Sequence, residues 1–453
     1  MSSQIALLLC CGFIGWLFRR DMVWRKAGSL ALIIPGAWIT IQGSRPLSYW
    51  FGGGGGSEAN LIDTVAFAGL MGSAIVVLVK RGIRWGTLIR RNRALFLIYF
   101  FLAMSAFWSG MPAVSLKRVI KDFGCVLVAL VVLTETNPTE AIRIVFVRVS
   151  YLLFPLSVVF IKFFPEIGRQ ANRAGENMFT GITTHKNSLG ETVFVFGLII
   201  LWDLIETYKS EARRGKNGQV LIRLGMFLMG LWLLVTCNSQ TSRLCLILGI
   251  LTLWGSARLA GMRYGKRVLI ACLAVVICLT VLDSTFGISD AIVVALGRNP
   301  TLTGRTDIWR VVLDQKTDPF IGSGFYTFWD SEKGKAIIDS YMRINSTHNG
   351  YLEMYVDGGL VGDVLLGLLL LAAGSRVIGR LFTGDPLGKT GLMYWLLAIL
   401  YNFSETSFFR LDVLWFTFLL VTIEYLQRLQ QSGERGIVPE RLGNPAETSL
   451  SGA

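Results

Sequence analysis

Charge is scarce in this 453-residue sequence, where Asp, Glu, Lys and Arg together make up 16%. A soluble domain of that size carries far more charge on its surface, so the composition excludes one. Histidine is scarcer still: the chain holds two, His185 and His348. No Asp-x-Asp pair occurs anywhere, so the usual metal–nucleotide-sugar clamp is missing. There is also no serine nucleophile elbow, no zinc motif and no phosphate-binding loop. The run Gly52–Gly56 lacks the Lys-Ser/Thr ending and the preceding strand of such a loop and reads as a flexible linker. The seven cysteines (Cys10, Cys11, Cys125, Cys237, Cys245, Cys272 and Cys278) lie in or beside apolar blocks. None falls in the longest polar stretch, so no disulfide framework and no metal cluster is implied.

What fills the chain instead is apolar: 53% of residues are hydrophobic and the mean hydropathy is +0.54. They come in blocks, many of about 15–20 residues, long enough to cross a hydrocarbon core. Thirteen spans are predicted, near 3–18, 27–41, 61–79, 94–108, 119–133, 146–164, 188–205, 224–236, 242–255, 268–282, 359–378, 390–403 and 412–426. The first block has no basic stretch before it and charges after it, which reads as a span and not as a cleaved signal. The net charge of +14 sits in short clusters between blocks, such as Arg19-Arg20, Lys80-Arg81 and Arg213-Arg214. Assigning alternate loops puts about 27 Lys and Arg on one side and about 17 on the other, about 7 of the latter in one long loop. The basic side is therefore expected in the cytoplasm, with the C-terminus inside and the N-terminus outside. No basic surface for nucleic acid is evident. Acidic residues within spans are few (Asp63, Asp122, Glu191, Asp203, Asp363 and Glu424), mostly near predicted ends. That argues against a transporter with a charged relay at mid-membrane.

The fold class expected is an all-α polytopic membrane protein with about 12–13 spans and a large helical outer loop. The expected organisation is N-terminal spans over 1–160, central spans over 161–282 and the long loop over 283–358. C-terminal spans follow over 359–430, then a cytoplasmic, disordered tail over 431–453. Within the loop, Thr306–Gln315 places Ile308, Val311 and Val312 at helical spacing before Asp318-Pro319 stops it. Ser331–Arg343 is a second amphipathic helix candidate, and a third runs from about His348 to Val356. Ser346 or Thr347 is its predicted N-cap, and Gly358-Gly359 ends it before the next span.

Both histidines fall on the outer side. His348, at the start of a short helix before a span, is a proton acceptor placed near the membrane surface, or else a capping or interface histidine. His185, Lys186 and Asn187 form a group suited to an anion or a sugar, or a helix-start turn with a snorkelling lysine. Arg243 stands at the outer end of a span, where guanidinium suits phosphate through its planar fork; the alternative is snorkelling to headgroups. Arg305, beside Gly304 at a helix start, suits a pyrophosphate, although loop arginines are common.

Taken in order, THKNSLG, SQTSR, GRTDIW, DPFIGSGF and THNGYLEMYVDGGLVG resemble the O-antigen ligase and polymerase superfamily, clearest over about residues 170–410. The His-Lys-Asn form and the overall length look most like its exopolysaccharide-production branch. The resemblance implies a membrane-embedded glycosyltransferase that needs no metal or other cofactor. Its donor would be a glycan on undecaprenyl pyrophosphate at the outer leaflet of the bacterial inner membrane. By that analogy Arg243 and Arg305 hold the pyrophosphate, and His348 orients or deprotonates the acceptor hydroxyl. His185, Lys186, Asn187, Gly304, Asn349 and Tyr351 contact sugar or phosphate. The implied partners are the lipid-linked glycan, a polysaccharide acceptor, the bilayer and a chain-length regulator or export protein. Polymerisation of lipid-linked repeat units leads, with ligation to lipid A core or to a protein as the alternative. A non-enzymatic glycan transporter is a reading from a different class.

Overall fold

The computed structural model describes residues 2–25, 28–51, 60–171, 175, 177–212, 218–271, 305–315, 317–340 and 346–425. The protein is a polytopic membrane protein built from helices. In chain order these are α1 (Ser3–Trp24), α2 (Ile33–Gln42), α3 (Leu47–Trp50), α4 (Leu61–Lys80), α5 (Trp85–Arg91) and α6 (Arg93–Met104). They continue with α7 (Pro112–Leu133), α8 (Pro138–Phe163), α9 (Pro165–Gly168), α10 (Lys186–Ala212), α11 (Gly218–Cys237) and α12 (Gln240–Gly261). The described part of the long loop carries α13 (Arg305–Leu313) and α14 (Glu332–Ser340). The chain then enters α15 (Gly350–Phe382), α16 (Gly388–Tyr401) and α17 (Val413–Thr422). One antiparallel hairpin, Arg169–Ala171 with Asn177–Phe179, interrupts the helices.

Among the described residues, α4, α8, α10, α11, α12 and α15 are six helices long and apolar enough to cross a membrane. Shorter apolar segments are Leu30–Gln42, Arg93–Phe107 and Val413–Thr422. Each predicted span coincides with a helix except 268–282, which lies mostly outside the described residues, as do the glycine run and the tail. The difference between thirteen and six has a physical reason. α2, α6, α16 and α17 are short, α1 carries Arg19, Arg20 and Asp21 in its last turns, and α7 carries Lys117, Arg118, Lys121 and Asp122 in its first half. Burial separates the helices further. In α7 every residue from Gly124 to Leu133 is buried, as is the whole of α17. Helices apolar on all faces and buried on all faces form the centre of the bundle. α4 and α12 are the least enclosed of the six, and their apolar residues Val76, Val79, Leu244, Ile247, Leu251 and Trp254 face outward.

The long loop docks on a break in α15. Gly359 has φ 59° and ψ −160°, a left-handed conformation that favours glycine, so the predicted stop at Gly358-Gly359 becomes a kink within one helix. Backbone groups freed there bond to the loop: Leu360 N–H to Pro319 O at 2.9 Å and Val361 N–H to Phe320 O at 3.0 Å. In return Ser323 N–H and Gly324 N–H donate to Val356 O and Asp357 O at 2.9 and 3.0 Å. Ile308 and Val312 of α13 join Phe328, Trp329, Ile337 and Val356 in a small core of their own. The N-cap prediction is corrected: α15 starts at Gly350, and the Asn349 side chain accepts from Tyr351 and Leu352 N–H, in place of Ser346 or Thr347. Asn349 wins because its carbonyl reaches two unpaired first-turn donors.

α10 and α12 approach closely through Gly190. A Cβ there would lie 2.5 Å from Ser242 Oγ and 2.8 Å from Ser239 Cβ, the small-residue contact typical of membrane helices. Gly190→Ala should therefore destabilise the purified protein by about 1–3 kcal/mol. Thermal unfolding in detergent checks this, and an unchanged midpoint would contradict the packing.

Candidate functional site at the histidine end

Three segments meet at the end of the bundle that holds both histidines: the turn before α15, the start of α10, and the turn between α16 and α17. Asn402 organises the last of these, its Oδ1 accepting from Ser407 and Phe408 N–H at 2.8 and 3.0 Å. Gly350 N–H then donates to Asn402 O and Glu405 O at 2.8 and 3.1 Å, so the turn lies directly against the start of α15. A side chain at Gly350 would collide with Asn402. Thr347 N–H and Oγ1–H donate to Glu353 Oε2 at 2.9 and 2.7 Å. His348, between these anchors, has φ 50°. A non-glycine residue held there costs about 1–3 kcal/mol, which persists only where neighbouring bonds over-determine the backbone.

The His348 ring meets Glu405, Nδ1 to Oε2 at 3.1 Å. The other carboxylate oxygen accepts from Asn187 Nδ2–H at 2.8 Å. One carboxylate therefore joins the two motifs, THKN and THN. The tautomer that donates from Nδ1 to the Glu405 carboxylate leaves Nε2 as an acceptor. The His348 side chain is 34% exposed against 10% for Glu405, so the ring is accessible while its partner is shielded. His185 packs alongside and accepts Asn187 N–H at Nδ1, 3.2 Å away. Burial lowers its pKa from the ordinary value of 6.5; Glu405 opposes the shift, and His348 and Lys186 add to it.

Arg243 occupies the first turn of α12. It donates from Nη2 to Val235 O at 2.8 Å, tying α12 to the carbonyl end of α11. Arg243 and Lys186 both act electrostatically on Cys237. A hydroxyl contact of 3.0 Å between Thr241 and Ser404 links the SQTSR segment to the Glu405 turn. The structure thus gathers His348, His185, Lys186, Asn187 and Arg243 at one end. Arg305 begins α13 as predicted, but its side chain and Gly304 lie outside what is described. Four residues on, Trp309 Nε1–H donates to Thr347 O at 2.8 Å, anchoring α13 beside His348. Two candidates have structural partners: Asn349 caps α15, and Tyr351 donates to Ile399 O at 3.0 Å between Phe403 and Phe408.

Sequence reasoning missed Glu405 and the support behind it. Glu353 Oε1 accepts from Trp329 Nε1–H at 2.7 Å and from Arg410 at 3.0 Å, and Arg410 lies 3.6 Å from the Tyr326 ring centre. The available signal was a carboxylate in NFSETSFF, a short turn between apolar blocks on the side of both histidines.

Comparison with known proteins finds its family match in the central region. Residues 224–378 match the O-antigen ligase family. The O-antigen ligase match contains Arg243, Arg305 and His348, whereas His185, Lys186, Asn187 and Glu405 lie outside it. The chain is also a distant homologue of the exopolysaccharide production protein ExoQ of Rhizobium meliloti (strain 1021). That protein is 25% identical over 342 residues, 71% of this chain and 72% of the relative.

The lowered pKa of His185 makes a pH prediction. The folded state binds this proton less readily than the unfolded state, so stability is full above the ordinary histidine value of 6.5 and falls as pH drops from there toward the lowered folded value. Thermal unfolding between pH 7.5 and 5 checks this: His185→Gln should flatten the slope, and an identical slope in both proteins would remove His185 as its source.

Proposed function

We propose that the protein polymerises a surface polysaccharide, transferring an undecaprenyl-pyrophosphate-linked glycan onto another lipid-linked repeat unit. The reaction takes place on the periplasmic face of the bacterial inner membrane. The observation that carries this reading is the Glu405 carboxylate shared between His348 and Asn187. It supplies a histidine with one nitrogen held and the other free to take a proton, at the end of a bundle able to shelter a polyprenyl chain.

The acceptor hydroxyl donates its proton to His348 Nε2 as its oxygen attacks the anomeric carbon. The bond from that carbon to the pyrophosphate oxygen breaks, and its electron pair leaves with the pyrophosphate. Glu405 stabilises the imidazolium that forms, as an orienting carboxylate does in a catalytic triad. Arg243 and Arg305 hold the leaving pyrophosphate and stabilise its growing charge, taking the part that a metal plays in other glycosyltransferases. His185, Lys186 and Asn187 border the site and contact sugar or phosphate. A second reading, ligation of the finished glycan to another acceptor, is favoured by the family description of the 224–378 region. Chemistry at the donor is the same in both. The exopolysaccharide production role in the name of the ExoQ relative favours polymerisation.

The test uses purified protein, a polyprenyl-pyrophosphate repeat unit and EDTA. Longer lipid-linked chains are expected; transfer only to an added lipid or protein acceptor would establish the ligase, and inactivity with glycan flux across vesicles would overturn both. His348→Ala should lower turnover by about 10²–10⁴-fold in a folded protein. Glu405→Gln should lose less. Arg243→Lys and Arg305→Lys should lose most of kcat because lysine cannot reproduce the fork. Full activity in all four would discard the assignment.

A further inference from the structure

At the opposite end of the bundle, α1 runs past its predicted end at residue 18 and buries Asp21. Asp21 and Asp203 of α10 are fully buried, and four arginines surround them. Arg223 bridges both, at 2.6 Å to Asp21 and 3.1 Å to Asp203. Arg143 bonds Asp203 at 2.7 Å, Arg148 bonds Asp21 at 2.9 Å, and Arg25 pairs with Asp203. Glu140, at the rim, reaches Arg143 at 2.7 Å and Arg25 at 3.3 Å. Among the described residues, four guanidinium groups thus face three carboxylates, an excess of one positive charge in a low-dielectric setting.

The polar atoms left over have one character. Arg25 Nη1, Arg148 Nη2 and the Tyr151 hydroxyl are buried and make no hydrogen bond to the described residues, while Arg25 Nε has only its ion pair with Glu140. Arg25 is 5% exposed and Tyr151 fully buried, and Tyr151 lies within electrostatic reach of Asp21, Asp203, Arg25 and Arg223. Each of these groups can donate, so an acceptor bearing negative charge satisfies both the charge excess and the orphaned groups. The rim is open on one side, with the Arg148 side chain 21% exposed and that of Glu140 32%.

We propose that this cluster is a binding site for a phosphate-type oxyanion, entering past Arg148 and held by Arg25, Arg148 and Tyr151. Guanidinium forks match phosphate oxygens bidentately, and basic pockets between membrane helices take phospholipid headgroups. A lipid phosphodiester and free inorganic phosphate share this chemistry. The site is independent of the histidine end and of the reaction proposed there.

The test measures thermal unfolding of the purified full chain in neutral detergent. Inorganic phosphate is titrated against chloride of equal ionic strength, and phosphatidylglycerol against phosphatidylcholine. A saturable rise of several degrees with phosphate identifies the free anion. A rise with phosphatidylglycerol alone, with that lipid retained in native mass spectrometry, identifies the headgroup. Arg148→Gln should abolish the rise, and it leaves both aspartates bridged by the other three arginines. Glu140→Gln removes a competing carboxylate and should tighten binding about threefold or more. His348→Ala should respond as the wild type does. Insensitivity of the wild type to both probes, or an undiminished response in Arg148→Gln with no gain in Glu140→Gln, would overturn the site.

Discussion

Every backbone N–H and C=O that enters a hydrocarbon layer has to find its partner inside the protein, because no water is there to replace it. That constraint makes the protein a set of helices and pushes irregular backbone to the helix ends. The break at Gly359 obeys the same rule. The groups it frees do not go unpaired; Pro319, Phe320, Ser323 and Gly324 of the long loop take them up. The loop is therefore attached where α15 would otherwise carry unsatisfied backbone.

The same constraint shapes the histidine end. Thr347, Glu353, Trp329 and Arg410 form one connected polar network behind His348, and the unusual backbone of His348 is the price of aiming its ring at Glu405. Glu405 then serves two helices at once, α15 through His348 and α10 through Asn187. A carboxylate with both oxygens engaged is held in place. The ring it holds is set before any substrate arrives, which is how a fixed site avoids reorganisation during reaction. The opposite end uses charge differently: its arginines and aspartates lock α1, α8, α10 and α11 together, with donors to spare.

Much of this was legible in the residue order. The predicted spans within the described residues fall on helices because hydropathy over about 20 residues is a local property. α13 and α14 were legible because amphipathic spacing is local too. The start of α12 at the SQTSR segment followed from the apolar block after it, and the placing of both histidines on one side from counting alternate loops. The reading stopped short where a choice depended on distant partners. Asn349 caps α15 in place of Ser346 or Thr347. Tyr351 packs between Phe403 and Phe408, which no spacing pattern indicates. Asp21 lies beyond the predicted end of the first span because its pairing with Arg148 and Arg223 lets α1 bury a charge that composition alone places outside.

Residue order is enough to establish a helical membrane protein with an O-antigen-ligase-like order of motifs and scarce histidines, since these depend on composition and short-range spacing. Which groups meet is a matter of the folded chain. Glu405 stands 57 residues from His348 and 218 from Asn187, and Asp21 stands 202 from Arg223. Such pairs are set by how helices cross and pack. Packing depends on all the elements together, and no local pattern records it.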